Sequence, residues 1–407
     1  MEEVNLAPLV KQVSCTEHII APEVQYKYAN EKGDGYLGVV KAIELIGRNK
    51  SLEVIVKYAA TSANLRRQAP IREAFLTEMW FYDKIVPSQL NFQIEHNVQN
   101  PFVNYPKCYA IRRQNHEEIL FLENLKQYGY KLWNRKKPMN HEHLKFVFYE
   151  YGRYHGTNYA IKKLNPALYK EMTSNLVDMM QLFNRTDGFS GLMKKMSGKV
   201  KDFFDPIKDQ KYYDIISEFN SVSMEKFEAT SDLDDYSIIL HGDCWCNNMM
   251  FKYKNADDES KPDSIQLIDF QLCKEGSPVL DLSYFYYVCS DKTNFQHLDE
   301  YLKIYHQSLH DHLAEFGLDS NDIFPFSKLK EHWKIYSRFG YFMAVFLIKI
   351  MLSDVDEVPD LADVADSKAN DDNSVMNSFD FESRSEDQYK ERIRELIYHM
   401  VDNGYIC

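Results

Sequence analysis

Positive charge is in short supply: 48 Lys and Arg stand against 61 Asp and Glu, a formal net charge of −13. A chain that grips nucleic acid or an anionic membrane needs a basic face, so neither is an expected partner. Long apolar runs are missing too. The most apolar stretch, 339–348 (FGYFMAVFLI), is closed off by Arg338 and Lys349. A bilayer takes about twenty such residues, so this run reads as a buried core helix. The opening MEEVNLAPLVKQ is acidic with no apolar signal core, and the expected location is cytoplasmic. Cysteines number seven, and Cys244 and Cys246 have no second pair at zinc spacing. That argues against structural zinc and for reduced thiols inside a cell. No internal repeat is visible. The composition is that of a globular protein, and 407 residues exceed what one core serves, so two lobes are expected.

What is present centres on two stretches, 238–250 (IILHGDCWCNNMM) and 265–271 (IQLIDFQ). Each is an apolar run that reads as a short buried strand delivering polar residues to its end. Asp243, Asn248 and Asp269 are the groups phosphoryl transfer requires. One carboxylate orients or receives the acceptor hydroxyl, and an amide and a second carboxylate hold the metal that bridges the phosphates. Mg²⁺ takes oxygen ligands and few protein side chains. Asp and Asn are also common turn residues, so His-Gly-Asp alone would suit a hairpin. The added Asn248 and the later Ile-Asp-Phe tip the reading toward chemistry.

Upstream, residues 26–60 read as a hairpin behind a glycine-bearing loop, with a third strand if Gln25–Asn30 pairs as well. Gly33, Gly35 and Gly38 either let backbone amides approach phosphates or simply form a turn. Lys57 ends the run Val-Ile-Val-Lys, an unusual place for a lysine unless its charge is paired or faces a cleft. One main helix is expected over 71–85, with Glu78 beside its apolar face and Glu73 as a rival. A strand lysine and a helix glutamate are the pieces of the ion pair that places α- and β-phosphates in kinases. Residues 92–113 read as two irregular strands. Ile119–Leu122 reads as a buried strand left through Glu123-Asn124-Leu125, and the connection between lobes is placed there. Its backbone groups either pair with an adenine edge or make an ordinary strand exit.

Beyond about residue 140 the pattern turns helical, with Leu144, Val147, Phe148, Tyr151 and Tyr154 at helical spacing. His155 reads as a hydrogen-bonded core histidine. Asp281 is either a first-turn helix carboxylate or a brace for the catalytic loop. Residues 354–387 are acidic, rich in Ser and Asn and poor in core formers, and read as a long mobile loop or lid edge with a solvated surface. A last amphipathic helix is expected over about 387–402.

Taken in order, the glycine loop, VIVK, FLTEMWFY, FLENL, HGDCWCNNMMF, IDFQ and VLDLSYF resemble the ecdysteroid kinase-like family. That group has a choline-kinase-like domain related to aminoglycoside phosphotransferases and the protein-kinase-like superfamily. The likeness runs over about residues 30 to 345, and the closing DNGYI fits as well. It implies an α+β, two-lobed protein-kinase-like fold. An N-terminal lobe (1–124) would bear an antiparallel sheet and one main helix, and a larger, mostly helical lobe (125–407) would bear the catalytic loop, metal site and acceptor pocket. It implies Asp243 as catalytic base or hydroxyl-orienting carboxylate, and Asn248 and Asp269 as Mg²⁺ ligands. Lys57 and Glu78 would serve the α/β-phosphates of ATP, Gly33, Gly35 and Gly38 would border the phosphate loop, and Glu123 to Leu125 would contact adenine. Gln271 stands where protein kinases carry glycine, and the eleven or so residues between Asp269 and Asp281 leave no room for an activation segment. A small-molecule alcohol is therefore the expected acceptor: an ecdysteroid or similar lipophilic steroid or xenobiotic. A choline- or ethanolamine-type kinase and a non-catalytic nucleotide- or steroid-binding module are the alternatives. A monomer is favoured.

Overall fold

Strict alternation of side chains builds the N-terminal sheet. β1 (Glu23–Ala29), β2 (Gly38–Ile46), β3 (Ser51–Ala59), β4 (Cys108–Arg112) and β5 (Ile119–Glu123) pair antiparallel in the order β1-β2-β3-β5-β4. Ile43, Leu45, Val54, Val56, Ile119 and Phe121 point to one face, which α1 (Ala7–Thr16) covers with Leu9, Val10 and Val13. Their neighbours Ile55, Lys57 and Leu122 point to the opposite face and line a cleft. The computed structural model describes residues 5–29, 37–183, 188–221, 227, 232–255 and 257–407. Gly33 and Gly35 lie outside the described residues.

The helical part of this lobe is longer than expected. A short α2 (Ala63–Gln68) precedes α3 (Ile71–Trp80), which runs through a π-helical turn (Phe81–Ile85) into α4 (Val86–Glu95). Residues 92–95 are thus helix rather than strand, and of the two strands expected over 92–113 only Cys108–Arg112 forms. The inward face explains this: Gln89, Phe92 and Gln93 are all buried. Gln89 Nε2 donates to Asn158 Oδ1 at 2.8 Å. Residues 97–105 then cross to the second lobe, where Arg153 donates to the carbonyls of Asn100 and Pro101.

The second lobe hangs on α5 (His141–Leu164), capped by the Asn140 side chain. The small strands β6 (Lys131–Leu132), β8 (Met249–Lys252) and β9 (Ser264–Leu267) form one sheet, and β7 (Ile238–Leu240) pairs with β10 (Lys274–Gly276). Around them pack α6 (Gly188–Val200), α7 (Pro278–Cys289), α8 (Leu298–Ala314) and α9 (Arg338–Leu352). α9 contains the apolar run 339–348 and is buried almost throughout, as a core helix should be. Among the described residues no single helix is long and apolar enough to cross a membrane.

The acidic stretch departs from its sequence pattern. It is not a loop but two short helices, α10 (Leu361–Ser367) and α11 (Ser374–Ser378), before α12 (Glu386–Asp402). Its few apolar residues are spaced to share one face: Leu361, Ala365, Val375, Met376 and Phe379 are all buried, while Asp360, Asp363, Asp366, Asp371 and Asp372 face outward and Asp380 is tucked against Lys195 and Lys199. The whole is a two-lobed, protein-kinase-like α+β fold with its cleft between sheet and helical lobe.

Candidate active site

Register decides where the lysine goes. β3 sets Lys57 between Val40 of β2 and Leu120 of β5, on the cleft side of the sheet. There its Nζ donates to Glu78 Oε2 at 2.7 Å and to Asp269 Oδ1 at 2.8 Å. Glu78, wholly buried on α3, is the partner, and the rival Glu73 takes no part. Burial opposes the charge on Lys57, but the two carboxylates outweigh it and hold the ammonium above its ordinary value. Burial pushes Glu78 up, against the pull of Lys57.

Three devices position α3. Phe270, the residue after Asp269, stacks on Phe81 of the π turn with ring centroids 3.5 Å apart and 8° between planes. The same ring meets Tyr105 and Tyr154 at 5.9 and 6.4 Å. An aromatic cluster thus ties the Asp269 turn of one lobe to the Glu78 helix of the other. Phe81 is the first residue of that π turn. Asp269 itself has φ +65°, a left-handed conformation that Asp tolerates in a tight turn.

The loop after β7 carries Asp243. Gly242 has φ +83°, and a Cβ there would lie 2.0 Å from the Leu272 carbonyl oxygen, so only glycine fits. Asp281, in the first turn of α7, accepts the backbone N–H groups of His241 at 2.8 Å and Gly242 at 3.0 Å. It is therefore a brace as well as a helix-start carboxylate. Burial would raise its pKa, but hydrogen bonding from the core histidine His155 and the neighbouring imidazoles bring it below the ordinary value. His241 Nδ1 accepts the Asp243 N–H at 3.2 Å, and its Nε2 donates to the Ile268 carbonyl at 3.0 Å. One imidazole thus spans both strand ends.

Asp243 is held from both sides. Tyr284 Oη donates to Oδ1 at 2.6 Å and Asn248 Nδ2 donates to Oδ2 at 2.7 Å. Burial and the charge of Asp269 push this carboxyl up to about 6. Asn248 Oδ1 and Asp269 Oδ2 have no hydrogen-bond partner among the described residues. These two hard oxygens are the donor set that suits Mg²⁺.

Two cavities meet at these residues, and Asn248 and Asp269 line both. The first lies under the sheet, between Val40, Ile55, Leu122, Met250 and Ile268, with Glu123 and Leu125 at its rim. The Glu123 N–H already donates to the Lys107 carbonyl at 2.8 Å, so a contact from that residue to a base falls to its carbonyl. Gly38 opens β2 beside the first cavity's wall, and a Cβ there would lie 2.2 Å from the Tyr58 carbonyl oxygen. The second cavity, ≈ 140 Å³ and partly open to solvent, contains Asp243, Tyr284 and Gln271 in a wall otherwise made mostly of Phe, Met, Leu and Ile.

The ecdysteroid kinase-like family model matches residues 32–318. The chain belongs to that family. As an ecdysteroid kinase-like protein it is a small-molecule phosphotransferase of the kinase-like fold. No functionally curated protein matches it. Solved structures similar to it include a mutant aminoglycoside 2'-phosphotransferase-IIIa in its GDP complex, at 12% identity and TM-score 0.40, covering 98% of this chain and 99% of that one. A spectinomycin phosphotransferase with ADP and spectinomycin bound gives 13% identity and TM-score 0.38, covering 92% and 97%.

Two residues that line this candidate site escape a reading of the sequence. Tyr284 reads as one of many aromatics that either pack the core or line an acceptor pocket, and nothing local signals its bond to a carboxylate 41 positions earlier. Gln271 reads as a marker that replaces glycine. Folded, it is 7% exposed, lines the second cavity, and its Nε2 has no partner among the described residues.

Proposed function

We propose that this protein transfers the γ-phosphate of ATP, with Mg²⁺, to a hydroxyl of a lipophilic small molecule: an ecdysteroid or a similar steroid or xenobiotic alcohol. The observation that carries this is the junction at Asp269. One carboxylate bonds the lysine of the sheet lobe and borders both cavities, with Asp243 just beyond it. The cleft under the sheet has the apolar walls and peptide rim that suit a base, and Lys57 there suits the α/β-phosphates. Asn248 and Asp269 would hold Mg²⁺, which neutralises charge across the β- and γ-phosphates. Asp243 faces the second cavity with its orientation set by Tyr284 and Asn248, placed to align an acceptor hydroxyl and take its proton. A raised pKa suits that task, because the base should not be too weakly basic. Positioning and charge neutralisation supply most of the rate. The apolar wall suits a steroid-like body, and Gln271 Nε2 offers it one hydrogen bond. All seven cysteines are free, which accords with a reducing cytoplasmic setting, and we take the working unit to be a monomer.

The test is incubation with γ-labelled ATP, Mg²⁺ and a panel of ecdysteroids, plant alcohols, choline and ethanolamine, read by mass spectrometry. A phosphorylated steroid or lipophilic alcohol is expected. Turnover of choline or ethanolamine alone would overturn the acceptor class, and nucleotide binding with no product across the panel would favour a binding module.

A further inference from the structure

The acidic segment does more than cover the second lobe. α10 and α11 turn Leu361, Met376 and Phe379 into the same cavity that holds Asp243, so this segment is its roof. The roof is fastened to the opposite lobe. Gln68, the last residue of α2 and 5% exposed, accepts the Val375 N–H at 2.9 Å and the Ser374 hydroxyl at 3.1 Å on one oxygen. Beside it, Asp366 accepts from Ser62 at 2.7 Å and from Asn64 at 3.1 Å. Arg67 donates to Asp372 at 3.0 Å and to the Ala369 carbonyl. The base of the segment is closed as well: Glu357 accepts the N–H groups of Asp354 at 2.8 Å and Arg384 at 2.6 Å. It is a strap rooted in the helical lobe and clasped to the sheet lobe. α2 leads through Ala69 and Pro70 into α3, which carries Glu78.

Resting on the phosphotransferase reading, we propose that this strap selects the acceptor and couples the two sites. Leu361, Met376 and Phe379 are its specificity-determining residues, and Gln68 is the positioning residue that holds them. An apolar underside excludes a strongly charged acceptor body, which would lose its water without gaining a partner. A strap that bonds both lobes is in place only when the lobes are in register. Nucleotide that sets the lobes therefore favours the closed roof, and an acceptor under the roof favours nucleotide by the same factor.

The experiment is hydrogen exchange with and without Mg²⁺ and the non-hydrolysable analogue AMP-PNP, on the full chain and on Gln68→Leu and Gln68→Glu. AMP-PNP should slow exchange over 361–379 by at least about fivefold in the natural protein. Gln68→Leu should lose that slowing, because it offers no acceptor oxygen. Gln68→Glu should keep it, because a carboxylate accepts both bonds and the lost Nε2 had no partner among the described residues. Slowing over 120–126 with none over 361–379, or Gln68→Leu behaving like the natural chain, would overturn the strap proposal while leaving the nucleotide site standing. No slowing at either place would defeat the nucleotide reading and this proposal with it. A second arm measures KM across the alcohol panel for Phe379→Ala. A changed order of preference with ATP KM unaltered is expected, and an unchanged order would overturn the role of the roof in selection.

Discussion

Lys57 is shared by two carboxylates, Glu78 in its own lobe and Asp269 in the other, and this one cation fixes the distance between the sheet and the turn that carries Asp269. In the proposed reaction Asp243 is the acceptor-side counterpart. Asp243→Asn should lower kcat by about 10²–10⁴-fold and leave nucleotide affinity within about twofold, since Asp243 borders only the second cavity. An unchanged kcat in an ADP-release assay would remove the residue from the chemistry. Tyr284→Phe deletes one donor to a buried carboxylate and should slow kcat by about five- to tenfold, the worth of one hydrogen bond of about 1–1.5 kcal/mol. Most of these residues were legible because they fall at strand ends, where an Asp or Lys closing a short apolar run must find a partner or a cleft for its charge. Tyr284 was not, because a tyrosine in an apolar helix looks the same whether its hydroxyl meets a carboxylate or another core group.

Elements matter here mainly as holders. Asp281 pins the turn before Asp243 by two amides, and Gly242 permits that turn's left-handed conformation. Gly242→Ala should cost at least about 1–2 kcal/mol for the φ alone, more for the clash with Leu272, read as a fall in the denaturant midpoint. A second holder is Glu118, the residue just before β5, which bonds Arg66 at 2.6 Å and Arg72 at 2.8 Å. Burial alone would raise its carboxyl, but the two guanidinium groups bring it down to about 2. A folded value below the unfolded one means stability is fully present above pH 4.5 and is lost as pH falls from there toward 2. Glu118→Gln should flatten that part of the acid-unfolding curve and cost about 2 kcal/mol at pH 7. The strands of the sheet and the helices α5 and α12 could be read from periodicity. Residues 86–95 could not, because Gln89 and Gln93 look like solvent-facing polar residues until Asn158 and the Phe102 backbone supply their partners.

The whole molecule is two lobes joined by the chain after Glu123, by the Phe81–Phe270 stack and by the strap over the second cavity. A nucleotide bound between them should stabilise the protein by about 2.7 kcal/mol at a hundredfold excess over its Kd. Chelating Mg²⁺ should remove most of the thermal shift; a shift insensitive to chelation would argue against Asn248 and Asp269 as metal ligands. By itself the sequence determined the chemical inventory and its carriers: the spacing of Asp243, Asn248 and Asp269, the strand lysine, the acidic net charge, and the alternation that makes the sheet. Those are local properties, set by neighbours a few residues away. Only the tertiary structure decided that Glu78 rather than Glu73 pairs with Lys57, that Tyr284 serves Asp243, and that the acidic stretch roofs a cavity clasped to Gln68. Each of those joins residues tens to hundreds of positions apart, and each depends on burial, which turns a modest polar contact in water into a bond too costly to break.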